Sequence, residues 1–342
     1  MGILETIWQI LTSPPVFIPL IFPGFITLLV VLLLLIWFER KLTAKVQMRY
    51  GPLYIFKRFG GIIQMMADLL KYLFSEFIIP KDADKKVFIL APIFFFTFTL
   101  LPIVAIPLSA TFTATQSDLT LLLVPALGTL GPLMVVLIGW SSNNKFSFIG
   151  SLREGYLMMC YEIPLFISIL SMALTYNTLS LIQVVEKQSG VWGIVLNPLA
   201  AIACFGAILM TTARFPFDIS EAESEIVVGP YTEYSGIVFI LCLGAPYAKL
   251  YVLSLFYSLV FLGGWNPMFL NITTPDPIFS AIFSGAIVLV KALLVMALAV
   301  FMRSIYPRYR LDQALRLGWH KLFILAIAGV VLALVLVGLG VI

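Results

Sequence analysis

The sequence predicts an all-α integral membrane protein: eight transmembrane helices, with an amphipathic interfacial helix in the first cytoplasmic loop. Three observations carry that expectation. The 342 residues are 61% apolar and only 11% charged, against roughly 45–50% and about 25% in an ordinary soluble domain. Mean hydropathy is +1.07, leaving too little polar surface to cover a globule, so lipid must solvate most of the exterior. Eight apolar windows fall at 16–38, 87–109, 119–140, 155–176, 193–212, 236–260, 278–302 and 322–341, each close to the roughly 20 residues a spanning helix needs.

Taken in order, the first window follows a segment, Met1 to Pro15, that has no Lys or Arg. It lacks the charged start of a secretory signal and is expected to remain as a permanent span. The loop after it contains GGIIQMMADLLKYLFSEF, residues 60–77. Its apolar positions recur at helical spacing around Asp68, Lys71 and Glu76, too charged to span, so this stretch is read as lying along the interface. The aromatic run Phe94 to Phe98 in the second window is read as lipid-facing or packing residues. Pro102, Pro107, Pro164 and Pro246 fall inside windows, where each removes a backbone hydrogen bond and kinks its helix. With no internal repeat, residues 1–342 form one membrane domain.

An even number of spans puts both termini on one side. The four odd-numbered loops hold 18 of the 21 basic residues: ten from Arg40 to Lys86, then Lys145 and Arg153, then Arg214, and five from Arg303 to Lys321. The even loops hold only Lys187. The positive-inside bias therefore places the odd loops in the cytoplasm and both termini outside, in a prokaryotic plasma membrane.

Several chemistries are excluded. Cys160, Cys204 and Cys242 are widely spaced in apolar stretches and read as buried small hydrophobes, with no metal site. His320 is the single histidine, which rules out a bis-His haem held by this chain alone. No Walker loop, HExxH or Ser/His/Asp set occurs. No catalytic residue is assigned, and no cofactor is expected on this chain.

The informative residues are charges inside spans. Glu162 lies about two turns into the fourth window, where an ionised carboxylate costs a few kcal/mol or more (roughly +3 on insertion scales). Such a group is paired, protonated or on a hydrated path. Glu154 lies eight residues earlier, near the same face, where it lines a route inward or pairs with Arg153 at the interface. Lys249 and Lys291 sit deep in the sixth and seventh windows, poorly placed to snorkel, and a lysine paired with Glu162 would be both satisfied and able to switch.

The third cytoplasmic loop, between the fifth and sixth windows, reverses the basic trend. It carries Arg214 against Asp218, Glu221, Glu223, Glu225 and Glu233, a local charge of −4. If helical, it puts Asp218, Glu221 and Glu225 on one face, with Ser220 and Glu223 at the spacing of a capping box. Carboxylates so close repel, so they face water, a cation path or a basic partner.

Across these loops the chain resembles the family formed by the H subunit of respiratory complex I and its homologues in membrane-bound hydrogenases and related archaeal complexes. Four blocks carry the resemblance: Glu39 to Pro52 (ERKLTAKVQMRYGP); Gly139 to Lys145 (GWSSNNK) with Leu152-Arg153 and Tyr161-Glu162; Arg214 to Glu225 (RFPFDISEAESE) through Thr232 to Ser235; and Met302-Arg303 with Pro307 to Gln313 (PRYRLDQ) and Leu317 to Trp319. The resemblance implies a non-catalytic membrane component of an oxidoreductase complex. Peripheral iron–sulfur and catalytic subunits would dock on Arg40, Lys41, Lys45, Arg49, Lys145, Arg153, Arg214, Arg303, Arg308 and Arg310. Small membrane subunits, antiporter-like subunits and lipid would cover other faces, and nucleic acid has no part. Glu162 and the acidic loop would belong to the route coupling electron transfer to H⁺ or Na⁺ translocation, with iron–sulfur clusters in the partners.

Against the quinone-reducing pattern of that family, Leu53 replaces an Asn, Met65 a Pro and Leu157 a Gln. Glu154 stands where a small residue is usual, and Pro246 replaces an acidic residue, with Lys249 nearby. A quinone-like cavity would involve Gln64, Asp68, Tyr161 and Phe217, and losing polar groups around it leaves a headgroup less well oriented. The departures tilt the reading toward a membrane-bound hydrogenase or a sulfur- or ferredoxin-linked relative, with quinone disfavoured. The alternatives are the quinone-site H subunit of an NADH- or F420H2-quinone oxidoreductase and, in another class, a stand-alone secondary ion transporter.

Overall fold

A computed structural model describes residues 12–55, 57–214, 216–220, 222–266 and 277–340, giving backbone alone for 223, 224 and 277–279. Among the described residues the chain is helical throughout, without strands: α1 Pro14–Leu20, α2 Phe25–Val46, α3 Ile63–Leu73, α4 Lys85–Leu100, α5 Thr120–Gly128, α6 Gly131–Ser141, α7 Lys145–Tyr176, α8 Leu181–Lys187, α9 Gly193–Leu196, α10 Pro198–Thr211, α11 Glu223–Ile226, α12 Gly236–Phe261, α13 Pro277–Ile305, α14 Leu311–Arg316 and α15 Phe323–Gly338. Seven helical stretches are long and apolar enough to cross a membrane: Pro14–Val46, Lys85–Ala105, Thr120–Ser141, Lys145–Tyr176, Gly236–Phe261, Ser280–Ile305 and Leu311–Gly338. This is a membrane protein.

The expected fifth window is where the apolar pattern and the helix part company. Asn197 interrupts it, accepting from the Ala200 N–H at 3.1 Å and donating to the Gly329 carbonyl at 2.8 Å. Pro198 follows at the first helical position, as its missing donor favours. The resulting α10 has 14 residues, about 21 Å at 1.5 Å per residue, short of a hydrocarbon core of about 30 Å. The fourth window errs in the other direction. Its helix starts at Lys145, where Asn144 caps it by accepting from the Phe146 N–H at 2.9 Å. Arg153 and Glu154 are therefore helical rather than loop residues.

Helix α7 is the hub, packing against α6, α10 and α15. Small residues let the backbones close up, the usual substitute in lipid for a hydrophobic drive. A Cβ on Gly329 of α15 would stand 3.1 Å from Ala200 of α10, and one on Gly150 of α7 would stand 2.7 Å from the Gly229 Cα. Gly229 itself has φ +60°, a conformation glycine adopts without steric penalty. Ser147, on the same side of α7, donates to the Pro230 carbonyl at 2.7 Å. These contacts fasten the acidic loop across α7.

The three cysteines are buried and free. In the aromatic run, Phe94 is exposed at the perimeter and Phe95 buried. Pro107 lies outside a helix, since α4 ends at Leu100 and a 3-10 turn carries Leu101–Ala105.

Candidate functional site

The acidic loop is clamped from two sides. The Phe217 ring stacks on Tyr309 with centroids 5.4 Å apart and leans on Tyr161 at 6.2 Å. The Tyr309 N–H donates to the Pro216 carbonyl at 3.0 Å, and Arg308 donates to Asp218 at 3.1 Å. These tertiary anchors override the local helical pattern. Among the described residues from 214 to 228 the one helical stretch is Glu223–Ile226, its N-cap is Ala222 with no side-chain cap, and the expected capping box of Ser220 and Glu223 does not form. Asp218 and Glu225 therefore do not share a helix face. Glu221 and the Glu223 side chain lie outside the described residues.

Beneath this loop lies Glu154, 1% exposed. The Tyr231 hydroxyl donates to its Oε1 at 3.4 Å. Its Oε2 has no hydrogen-bond partner among the described residues. The interfacial pair with Arg153 that the sequence left open is not formed, because Arg153 reaches outward to Glu225 at 2.5 Å.

Two turns further along α7, Glu162 meets Lys249 of α12, Nζ to Oε1 3.3 Å, both largely buried. The prolines Pro164 and Pro246 are close to this pair in sequence, inside the same two helices. A cavity of about 20 Å³ adjoins Lys249, bordered also by Thr99, Val124 and Gly128, room for about one water molecule. Carboxylate and ammonium neutralise each other here, with the lysine bordering this small, mainly apolar gap.

A second buried cluster was not singled out from sequence. Glu39, 6% exposed, accepts from Arg214 at 2.8 Å and pairs with Arg303, while Tyr247 donates to it at 3.4 Å. The Arg214 guanidinium also lies 3.4 Å from the Tyr247 ring centre, a cation–π contact. One carboxylate thus faces two guanidinium groups. The signal was present: Glu39 ends an apolar run, and α2 continues helical to Val46, but the window closing at 38 assigned it to a loop.

Other expected residues separate. Among the described residues Lys291 does not reach a carboxylate. Its ammonium donates to the carbonyls of Leu262, Gly264 and Asn266 at 2.7, 2.7 and 3.0 Å, and lies 4.8 Å from the Trp192 ring centre. All three donors are used, and the lysine caps the end of α12. Glu233 accepts from Asn144 at 2.6 Å. Gln64 and Arg40 both donate to Asp68, at 3.0 and 2.6 Å, whereas Tyr161, fully buried, belongs with Phe217. The four residues expected to share a cavity thus fall into two pairs with separate contacts.

Among the residues expected to dock partners, Arg40, Lys45, Arg49, Lys145 and Arg310 are exposed, and Lys41, Arg153, Arg303 and Arg308 are half-buried. Arg214, 5% exposed, is turned inward to Glu39, away from the surface that docking requires. An open recess of about 390 Å³ is lined by Arg40, Thr43, Arg49, Tyr50, Gly51 and Pro52. Among the described residues no group of three or more His, Cys, Asp or Glu is arranged to hold a metal ion.

With this geometry in place, comparison with known proteins is informative. The family model described as NADH dehydrogenase matches residues 20–334. The chain is 36% identical over 314 residues to the H subunit of F420H2 dehydrogenase from Methanosarcina acetivorans, covering 89% of this chain and 88% of that protein. It is 37% identical over 292 residues to the H subunit of NADH-quinone oxidoreductase from a Geobacillus species, covering 85% of each. The H subunit of F420H2 dehydrogenase from Methanosarcina mazei is 36% identical over 315 residues, 89% of this chain and 88% of that protein. The lean toward a membrane-bound hydrogenase draws no support from these relatives, and neither does the stand-alone transporter.

Proposed function

The chain belongs to the NADH dehydrogenase family, and from that premise we propose that it is the H subunit of a complex I-related dehydrogenase, passing the energy of electron transfer to a membrane carrier into ion movement along its buried charges. The relatives' names favour a quinone or similar apolar carrier as acceptor. The buried ion pair of Glu162 and Lys249, 3.3 Å apart between two spanning helices, carries the coupling half of this reading. A charged pair in hydrocarbon is costly to keep, and an ion route is the usual reason for keeping it.

The mechanism runs through this chain's own residues. Peripheral subunits dock on the exposed cations Arg40, Lys45, Arg49, Lys145 and Arg310. Reduction of the acceptor beside the clamped loop alters charge near Asp218, which Arg308 holds. The change is transmitted to Glu154 under the loop and then to Lys249, whose pairing with Glu162 opens or closes the route. Glu39, with two guanidiniums against it, fixes the inner ends of α2 and α13 around the loop. Tyr161 and Phe217 supply the aromatic wall for an apolar headgroup, and Gln64 and Asp68 polar contacts at its entry.

In the membrane, α9 and α10 together make the eighth crossing, with both termini outside, and α3 lies along the cytoplasmic interface with its apolar face in lipid. The whole chain is one membrane domain. Purification from its native membrane tests the assignment. The chain is expected to come out with iron–sulfur subunits, and the reconstituted complex to build an ion gradient when an electron donor and a quinone are supplied. Isolation without redox partners, or turnover unaffected by quinone depletion, would contradict it.

A further inference from the structure

The four charges at the acidic loop's underside are not equally answered. Asp218 is held by Arg308 and Lys249 by Glu162, and Arg153, the residue beside Glu154, is engaged by Glu225. Glu154 makes no ion pair among the described residues, although it is 1% exposed. Its Oε2 lacks a hydrogen-bond partner, and so does the Ser220 hydroxyl, also 1% exposed. That hydroxyl lies within interaction range of the carboxylate, but neither oxygen has a hydrogen bond of good geometry among the described residues. Two neighbouring buried polar groups without well-formed hydrogen bonds suit an ion or water as a shared partner.

The third wall is Tyr231, whose hydroxyl oxygen stands 3.4 Å from Glu154 Oε1. That hydrogen bond is long, since O–H···O⁻ bonds commonly measure about 2.5–2.7 Å. Oxygens that share a cation at about 2.4 Å from each, at right angles around it, stand about 3.4 Å apart. A proton on Oε2 could be accepted by the Ser220 oxygen but would join those two groups alone, whereas a cation is answered by all three oxygens together.

We propose that Glu154, Ser220 and Tyr231 form a binding site for a desolvated monovalent cation, sodium being the ion of matching size and chemistry. The donors are all oxygen, which suits a hard cation rather than a transition metal. A single uncompensated carboxylate balances one positive charge, and a divalent ion would leave an excess in a buried place. In naming an ion for the path described above, the site rests on that reading, but binding itself does not require transport. The loop that closes the site is the one fastened to α7 by Ser147 and Gly150, so occupancy holds the loop down.

Hydrogen exchange of the loop, residues 216–235, in the solubilised whole complex tests this, comparing sodium chloride with choline chloride at equal ionic strength. Sodium at ten times its dissociation constant slows exchange through loop opening by roughly tenfold. Ser220→Ala weakens the response, and Glu154→Gln removes it. Equal exchange in the two salts, as a resident proton or water would give, overturns the proposal, and so does a full sodium response in Glu154→Gln. If sodium protects the loop while Glu162→Gln still pumps in full, the site stands and the ion path falls. If sodium has no effect while pumping depends on Glu162, the path stands and the site falls.

Discussion

Lys249 of α12 holds its ammonium 3.3 Å from the Glu162 carboxylate of α7, joining two spanning helices at the depth where each charge alone would be hardest to keep. Neither residue explains the other's presence by stability, since a well-packed apolar pair is commonly as stable as a buried ion pair. The pair therefore divides two properties that mutation can separate. Glu162→Gln or Lys249→Met alone leaves one buried charge unmatched and is expected to destabilise the complex by about 3–5 kcal/mol. The double variant recovers most of that stability without recovering ion transport. Thermal unfolding of the solubilised complex, beside gradient formation in vesicles, measures both.

Among the described residues Glu39 is the sole carboxylate between Arg214 and Arg303 in its cluster. Glu39→Ala leaves two guanidiniums facing each other near the C-terminal ends of α2 and α13. The expected result is loss of about 3–5 kcal/mol and a poor yield of assembled complex. Arg214→Lys keeps the charge but loses the planar contact over Tyr247, and should fall between wild type and Arg214→Ala. Yield and melting temperature across the three variants check the order.

Gly150 is where α7 and the acidic loop touch. Because a Cβ there would stand 2.7 Å from Gly229 Cα, Gly150→Val should lift the loop from the helix and weaken packing by about 1–3 kcal/mol. Limited proteolysis should then cut between 216 and 231 faster than in wild type. An unchanged cleavage rate would mean that the loop is held elsewhere.

Lys291 closes α12 by donating to three carbonyls. Lys291→Met is expected to lower stability, at about 1.5–3 kcal/mol per hydrogen bond to a charged group lost, while leaving the number of ions moved per electron as in wild type. A changed ratio would return this lysine to the ion path.

The lipid-spanning pattern was legible because hydrocarbon forces each crossing into a long apolar run, and seven of the eight windows correspond to helices long enough to cross. The fifth broke at Asn197-Pro198, a cap signal that hydropathy averaging hides. The pairing of Glu162 with a lysine was legible from the cost of a lone charge in a span. What was not legible depends on distance in space. The acidic loop's helical spacing was genuine, but Phe217 on Tyr309 and Asp218 on Arg308 draw the chain out of a helix. Glu154 looked interfacial until the loop was found lying over it. The partners of Lys291, backbone carbonyls, leave no mark in a sequence.

The most direct test of the account measures ions translocated per electron by the intact complex in sealed vesicles, with Glu162→Gln beside wild type and with electron transfer recorded in the same preparation. The account predicts that the variant complex, recovered in reduced yield, still transfers electrons, while its ion yield per electron falls steeply. A full wild-type yield from Glu162→Gln would contradict it.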